Sequence, residues 1–78
     1  MPKVFEWKGW RFVFYSLDGM EPPHIHALKD GREAKFWLAD CSLARSRRCS
    51  KVDLRGLEQV VEEKREVFLE RWREHFGD

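Results

Sequence analysis

The chain has little cysteine: only Cys41 and Cys49 occur in 78 residues. A secreted domain of this size ordinarily relies on several cross-links, so both residues are expected as thiols. Long apolar runs are missing too. Nothing approaches the ~18 apolar residues of a membrane span. The opening Met1-Pro2-Lys3-Val4-Phe5-Glu6 lacks the apolar segment of a signal peptide. The chain is therefore expected to be cytoplasmic, with no membrane partner. Strong net charge is also absent. The balance is +1 at neutral pH, which argues against broad affinity for nucleic acid. It is uneven along the chain, however. Residues 1–57 hold eleven Lys or Arg against seven Asp or Glu, and residues 58–78 hold four against seven. A mildly basic body leaves room for a local basic site ahead of an acidic segment.

What the chain does have is aromatic bulk, with four Trp and six Phe. Large rings deliver the most apolar burial per residue. One short domain needs that, because a chain of this length buries only roughly 60% of the surface it exposes unfolded. Aromatic and β-branched residues predict strands at about 3–7 and 10–15, with Lys8-Gly9 as the turn. Residues 16–23 hold Asp18-Gly19 and Pro22-Pro23 and read as a loop. Strands at about 24–29 and 32–38 follow, joined by Asp30-Gly31, where Gly accepts the positive φ of a type I′ turn. That two-residue turn sets the register. Lys29 pairs Arg32, Ala27 pairs Ala34 and Ile25 pairs Phe36 on a core face. His24 pairs Trp37, His26 pairs Lys35 and Leu28 pairs Glu33 on a polar face. In the second strand, Trp10, Phe12 and Phe14 suit the core, and Arg11, Val13 and Tyr15 suit the polar face.

Residues 39–49 show no period and are expected to be a connecting loop. Ser50 as N-cap with Asp53 three residues on begins a helix over about 51–76, and Gly77 ends it. Gly56 inside it costs roughly 1 kcal/mol against Ala and marks a close approach or a bend. The predicted fold is α+β: a four-stranded antiparallel meander with one long C-terminal helix on one face, ββββα. The helix would run ~39 Å, whereas a six-residue strand spans only ~20 Å. Phe68, Trp72 and Phe76 are thus expected to meet a homodimer mate or a protein partner, unless the N-terminal hairpin lies beneath them.

The densest chemistry lies in Glu21-Pro22-Pro23-His24-Ile25-His26. In an extended segment, residues i and i+2 share a face. Two imidazoles so placed can bind a metal, share a proton or grip a phosphate. As an acid–base pair, His24 and His26 suit ribonuclease-like phosphodiester cleavage. Lys35 and Arg11 would stabilise charge, and Tyr15 and Glu33 would orient the rings. As a metal site they supply two ligands, with Cys41, Cys49, Glu33 or His75 as candidates to complete the set. The plain alternative is a rigid Pro22-Pro23 corner with both imidazoles bonded to backbone. A second candidate is the basic run Arg45, Arg47, Arg48 and Lys51 at the helix N-terminus, where an anion is favoured. Its alternative is a solvated charged loop.

Together these residues resemble a known family. The ordered pattern is Met-Pro-x-Val-Phe, then Phe12-Val13-Phe14-Tyr15-Ser16, then Pro22-Pro23-His24-Ile25-His26. It continues with Ala34-Lys35-Phe36-Trp37-Leu38 and a final helix through Trp72 to Phe76-Gly77. The chain resembles the small prokaryotic domain of unknown function DUF4160 over nearly its whole length. The matching motif positions are Pro22, Pro23, His24, His26, Lys35 and Trp37. The resemblance implies the toxin-like member of a toxin–antitoxin gene pair, neutralised by a small cognate antitoxin-like protein. It supplies no reaction. Expected targets are RNA or another phosphate-bearing molecule. The alternatives are a non-catalytic regulatory binding module and a small metal-binding protein. No cofactor is expected, a divalent metal on His24 and His26 being the exception kept open.

Overall fold

The computed structural model describes residues 3–77. Met1, Pro2 and Asp78, counted above in the opening motif and the acidic segment, lie outside the described residues. The strands are β1 (Lys3–Trp7), β2 (Trp10–Val13), β3 (His24–Lys29), β4 (Arg32–Trp37) and β5 (Leu43–Arg47). They form one antiparallel sheet in chain order, and the helix α1 (Lys51–Phe76) follows. Two tight turns organise the meander. Lys8 and Gly9 have φ of 49° and 84°, and Asp30 and Gly31 have 47° and 78°. Two successive positive φ values are the type I′ signature, whose twist matches that of the flanking strands. The β3–β4 register is the expected one at all six pairs, from Lys29 opposite Arg32 to His24 opposite Trp37.

A fifth strand replaces much of the predicted 39–49 loop. Leu43-Ala44-Arg45-Ser46-Arg47 has no aromatic or β-branched residue, so its composition gives no strand signal. Pairing makes it a strand: Arg47 lies opposite Glu33, Ser46 opposite Ala34, and Arg45 opposite Lys35. A register shift then brings Leu43 opposite Phe36. As an edge strand it can carry exposed charge. The second strand is also shorter than expected and stops at Val13, because the chain then bends into the loop over the sheet.

The helix is capped as predicted. Ser50 Oγ accepts from the Asp53 N–H at 3.0 Å, and Asp53 accepts from the Ser50 N–H at 3.1 Å. It covers the sheet face bearing Phe12, Ile25, Ala27, Ala34 and Phe36, to which it contributes Leu57, Val61, Phe68 and Trp72. Lys64 and Arg65, which interrupt the apolar stripe, reach outward. Lys64 Nζ lies 5.4 Å from the Phe5 ring, and Arg65 Nε donates to the Leu38 carbonyl at 2.6 Å.

Phe68, Trp72 and Phe76 do not wait for a partner. Phe68 and Trp72 are buried and Phe76 is half-buried within the chain. The N-terminal hairpin lies under this half of the helix. The Phe12 and Phe68 rings are 5.5 Å apart, those of Phe14 and Trp72 5.3 Å, and those of Phe14 and Phe76 5.8 Å. Of the two expectations for these residues, the structure has the one in which the N-terminal hairpin lies beneath them, because the helix crosses several strands rather than running along one.

Candidate functional site

The β2–β3 connection, residues 14–23, folds over the outer face of the sheet at one end. Asp18 anchors it. Its Oδ2 accepts from the Tyr15 N–H at 2.7 Å, while the Asp18 N–H donates to the Tyr15 carbonyl at 3.0 Å. Asp18–Met20 form a single 3₁₀ turn. At Gly19, any Cβ would lie 2.8 Å from Phe76 Cδ1, so only glycine lets this turn touch the end of α1. The prolines set the far end. Neither Pro22 nor Pro23 has an N–H, and both carbonyls are used: Pro22 accepts from His24 Nδ1 at 2.8 Å, Pro23 from the Leu38 N–H at 3.0 Å.

Strand alternation predicts a polar face open at this end, and the loop closes it. His24 is 0% exposed and His26 2%. Val13, opposite His26, is buried with them. The His24 ring lies 5.0 Å from His26, 5.6 Å from Trp37 and 5.2 Å from Trp72, and the Tyr15 ring 4.4 Å from His26.

Between the imidazoles stands a group that the sequence did not single out, Asp18. Its Oδ1 is 3.1 Å from His24 Nε2 and 3.3 Å from His26 Nε2, and its Oδ2 is 3.1 Å from His26 Nε2. Behind His26, Glu33 Oε2 lies 3.5 Å from Nδ1. Two ring nitrogens, His24 Nε2 and His26 Nδ1, are buried without a hydrogen bond. The 3.1 Å approach of His24 to Asp18 is short, but it lies off the N–H direction and makes no bond.

The electrostatics follow. Burial lowers the His26 pKa against the opposing pull of Asp18 and Glu33, because an imidazolium loses hydration there. Burial raises Asp18, but the Tyr15 N–H bond and both imidazoles outweigh it, and its pKa is lowered. Burial and the carboxylates of Glu33 and Asp18 raise Tyr15. Lys35 is held. Its Nζ donates to Glu21 Oε1 at 2.6 Å and lies 4.7 Å from the Trp37 ring. Glu21 is lowered by that bond.

Of the predicted catalytic set, His24, His26, Lys35, Tyr15 and Glu33 converge. Arg11 does not join them: it is exposed and pairs Leu28, two residues from His26 along β3. Nor do three of the proposed extra ligands. Cys41 is buried in the core, Cys49 Sγ donates to the Glu33 carbonyl at 3.2 Å, and His75 is exposed beside Phe14.

The basic run is divided. Arg45 and Arg47 line an open cleft of about 420 Å³ with Glu33 and Ser46. Lys51 lines a separate one with Phe36, Leu43 and Leu54, and exposed Arg48 turns away with a φ of 61°. Alternation along β5 keeps Arg45 and Arg47 on one face, whereas Arg48 and Lys51 lie beyond the strand, and the helix N-terminus is occupied by its own capping box.

The profile of the family described as Domain of unknown function (DUF4160) matches residues 9–73. The chain belongs to the DUF4160 family. Asp18, His24, His26, Glu33 and Lys35 all fall inside the matched segment. No curated protein and no solved structure matches the DUF4160 chain. Among its described residues no helix is long and apolar enough to cross a membrane.

Proposed function

We propose that this DUF4160 protein acts by binding rather than by cutting, as the toxin-like half of a two-protein module, and that it engages the phosphate backbone of RNA. The observation that carries this reading is the pair Arg45 and Arg47, whose side chains are 67% and 72% exposed along one cleft. Arg11 shares their sheet face. Glu33 offsets part of this charge, with Oε1 3.4 Å from Arg47 and Oε2 4.0 Å from Arg45. Guanidinium groups suit phosphate recognition because their planar forks donate two parallel bonds. The ribonuclease reading has less support. A scissile phosphate must come within hydrogen-bond reach of an acid and a base, and His24, His26 and Lys35 lie beneath the loop. A cognate partner would silence the protein by covering the arginines.

Changing Arg45 and Arg47 to Ala tests the reading against a single-stranded RNA. Parental binding should weaken steeply with salt. The double variant should lower the log–log slope by about two, one for each arginine–phosphate pair removed. The RNA should be recovered at full length. Equal salt slopes for parent and variant, or cleavage abolished in a folded His24→Ala/His26→Ala protein, would sink it.

A further inference from the structure

We propose that Asp18, His24 and His26 form a binding site for a divalent transition-metal ion, with zinc as the natural occupant. It adjoins the arginine cleft, with Glu33 standing between the two, and needs no RNA. One ligand atom from each residue lies within 4.8 Å of the others. Two edges of that triangle are at or near coordination length. Asp18 Oδ1 stands 3.1 Å from His24 Nε2 and 3.3 Å from His26 Nε2. Ligands about 2.0–2.2 Å from one zinc ion stand about 3.3–3.6 Å apart in a tetrahedron, so one edge fits and the other needs to open by a few tenths of an ångström. Bringing the two imidazoles together closes the third edge.

Proton placement favours a cation independently of those distances. The Pro22 carbonyl can only accept, so the bond at 2.8 Å places a proton on His24 Nδ1. In the neutral ring, Nε2 then carries a lone pair 3.1 Å from a carboxylate oxygen, with no donor between them. A buried lone pair beside a carboxylate is unfavourable, and a bound cation turns both into ligands.

His26 has the complementary defect. Its Nδ1 lacks a bond, though Glu33 Oε2 is only 3.5 Å away. With an ion on Nε2, the ring proton moves through solvent to Nδ1 and is donated to Glu33, with no net proton released. Each ligating imidazole would then hold its other N–H on an oxygen, Pro22 for His24 and Glu33 for His26. That is the usual support for a metal-bound histidine.

The donor set selects the ion. Two imidazoles and one carboxylate suit zinc and its first-row neighbours rather than calcium or magnesium, which take oxygen ligands. Three protein ligands leave a fourth position for water. Glu21 does not fill it, because Lys35 holds it and its Oε1 is 3.8 Å from the wrong nitrogen, His24 Nδ1. Bound there, the ion would pin the Asp18 turn to β3.

The test uses untagged full-length protein, stripped with chelator and shown by circular dichroism to be folded. Titrated cobalt(II) should give visible d–d absorption saturating at one equivalent and displaced by zinc. Asp18→Asn and His24→Gln should each weaken binding by at least about tenfold, and Glu33→Gln by about 10–100-fold. Wild-type protein also reports directly through histidine side-chain NMR, whatever the variants do to folding. Zinc should move the Nε2 resonances of His24 and His26 and leave exposed His75 in place. The proposal fails if the folded protein takes up neither ion, if Asp18→Asn binds as tightly as wild type, or if only His75 responds.

Discussion

At the scale of single residues, Gly56 shows a contact overruling a propensity. Ala is better than Gly inside a helix by about 1 kcal/mol, so Gly56→Ala would ordinarily stabilise α1. Here a Cβ would lie 2.9 Å from Trp7 Cη2 and 3.5 Å from Cζ3. The indole of β1 rests against the helix backbone, and adding a methyl forces the ring to move. Gly56→Ala is therefore expected to leave the urea midpoint unchanged or lower it. With Trp7→Val already made, the same change should raise the midpoint, because the two residues are in contact and their effects couple. A full propensity gain in the wild-type background would contradict this packing.

At the scale of elements, the start of α1 links folding to pH. The Ser50 N–H bond holds the Asp53 carboxyl below its ordinary 3.8, and nearby Arg32 adds to this at 3.2 Å. A carboxyl whose folded pKa is depressed contributes stability above its unfolded pKa and loses it as pH falls through the folded one. The stability gap between wild type and Asp53→Ala should thus hold steady from about pH 7 to 5 and close below about pH 4. Urea unfolding at four or five pH values checks it, and a gap that widens in acid would reverse the sign. This cap was legible because Ser50, Asp53 and Gly77 act on their own chain neighbours. The Asp30-Gly31 turn was legible for the same reason, and with it the β3–β4 register. Strand β5 was not. Nothing local in Leu43–Arg47 demands a strand; the edge of β4 does.

At the scale of the whole molecule, the candidate site divides along the same line. His24 and His26 were readable as a pair because strand alternation puts i and i+2 on one face. Their burial and the arrival of Asp18 were not, since both depend on where a loop lands. The only local hint was a carboxylate in the same loop as the prolines. The aromatic stripe of α1 posed the opposite difficulty: its residues were plain, but its occupant was not. Phe5, Phe12 and Phe14 fill that role from within the chain, with Phe5 and Phe68 rings 6.1 Å apart. A fold that depended on a second copy would grow more stable as concentration rises, by mass action. This one should not. Its thermal midpoint is expected to stay the same across a hundredfold change in protein concentration, and sedimentation across that range should report one mass, that of the 9.4 kDa chain. A midpoint that climbs with concentration would mean that the helix stripe or the Leu17–Met20 turn, 80% and 87% exposed at those two residues, is part of an interface on which the fold relies.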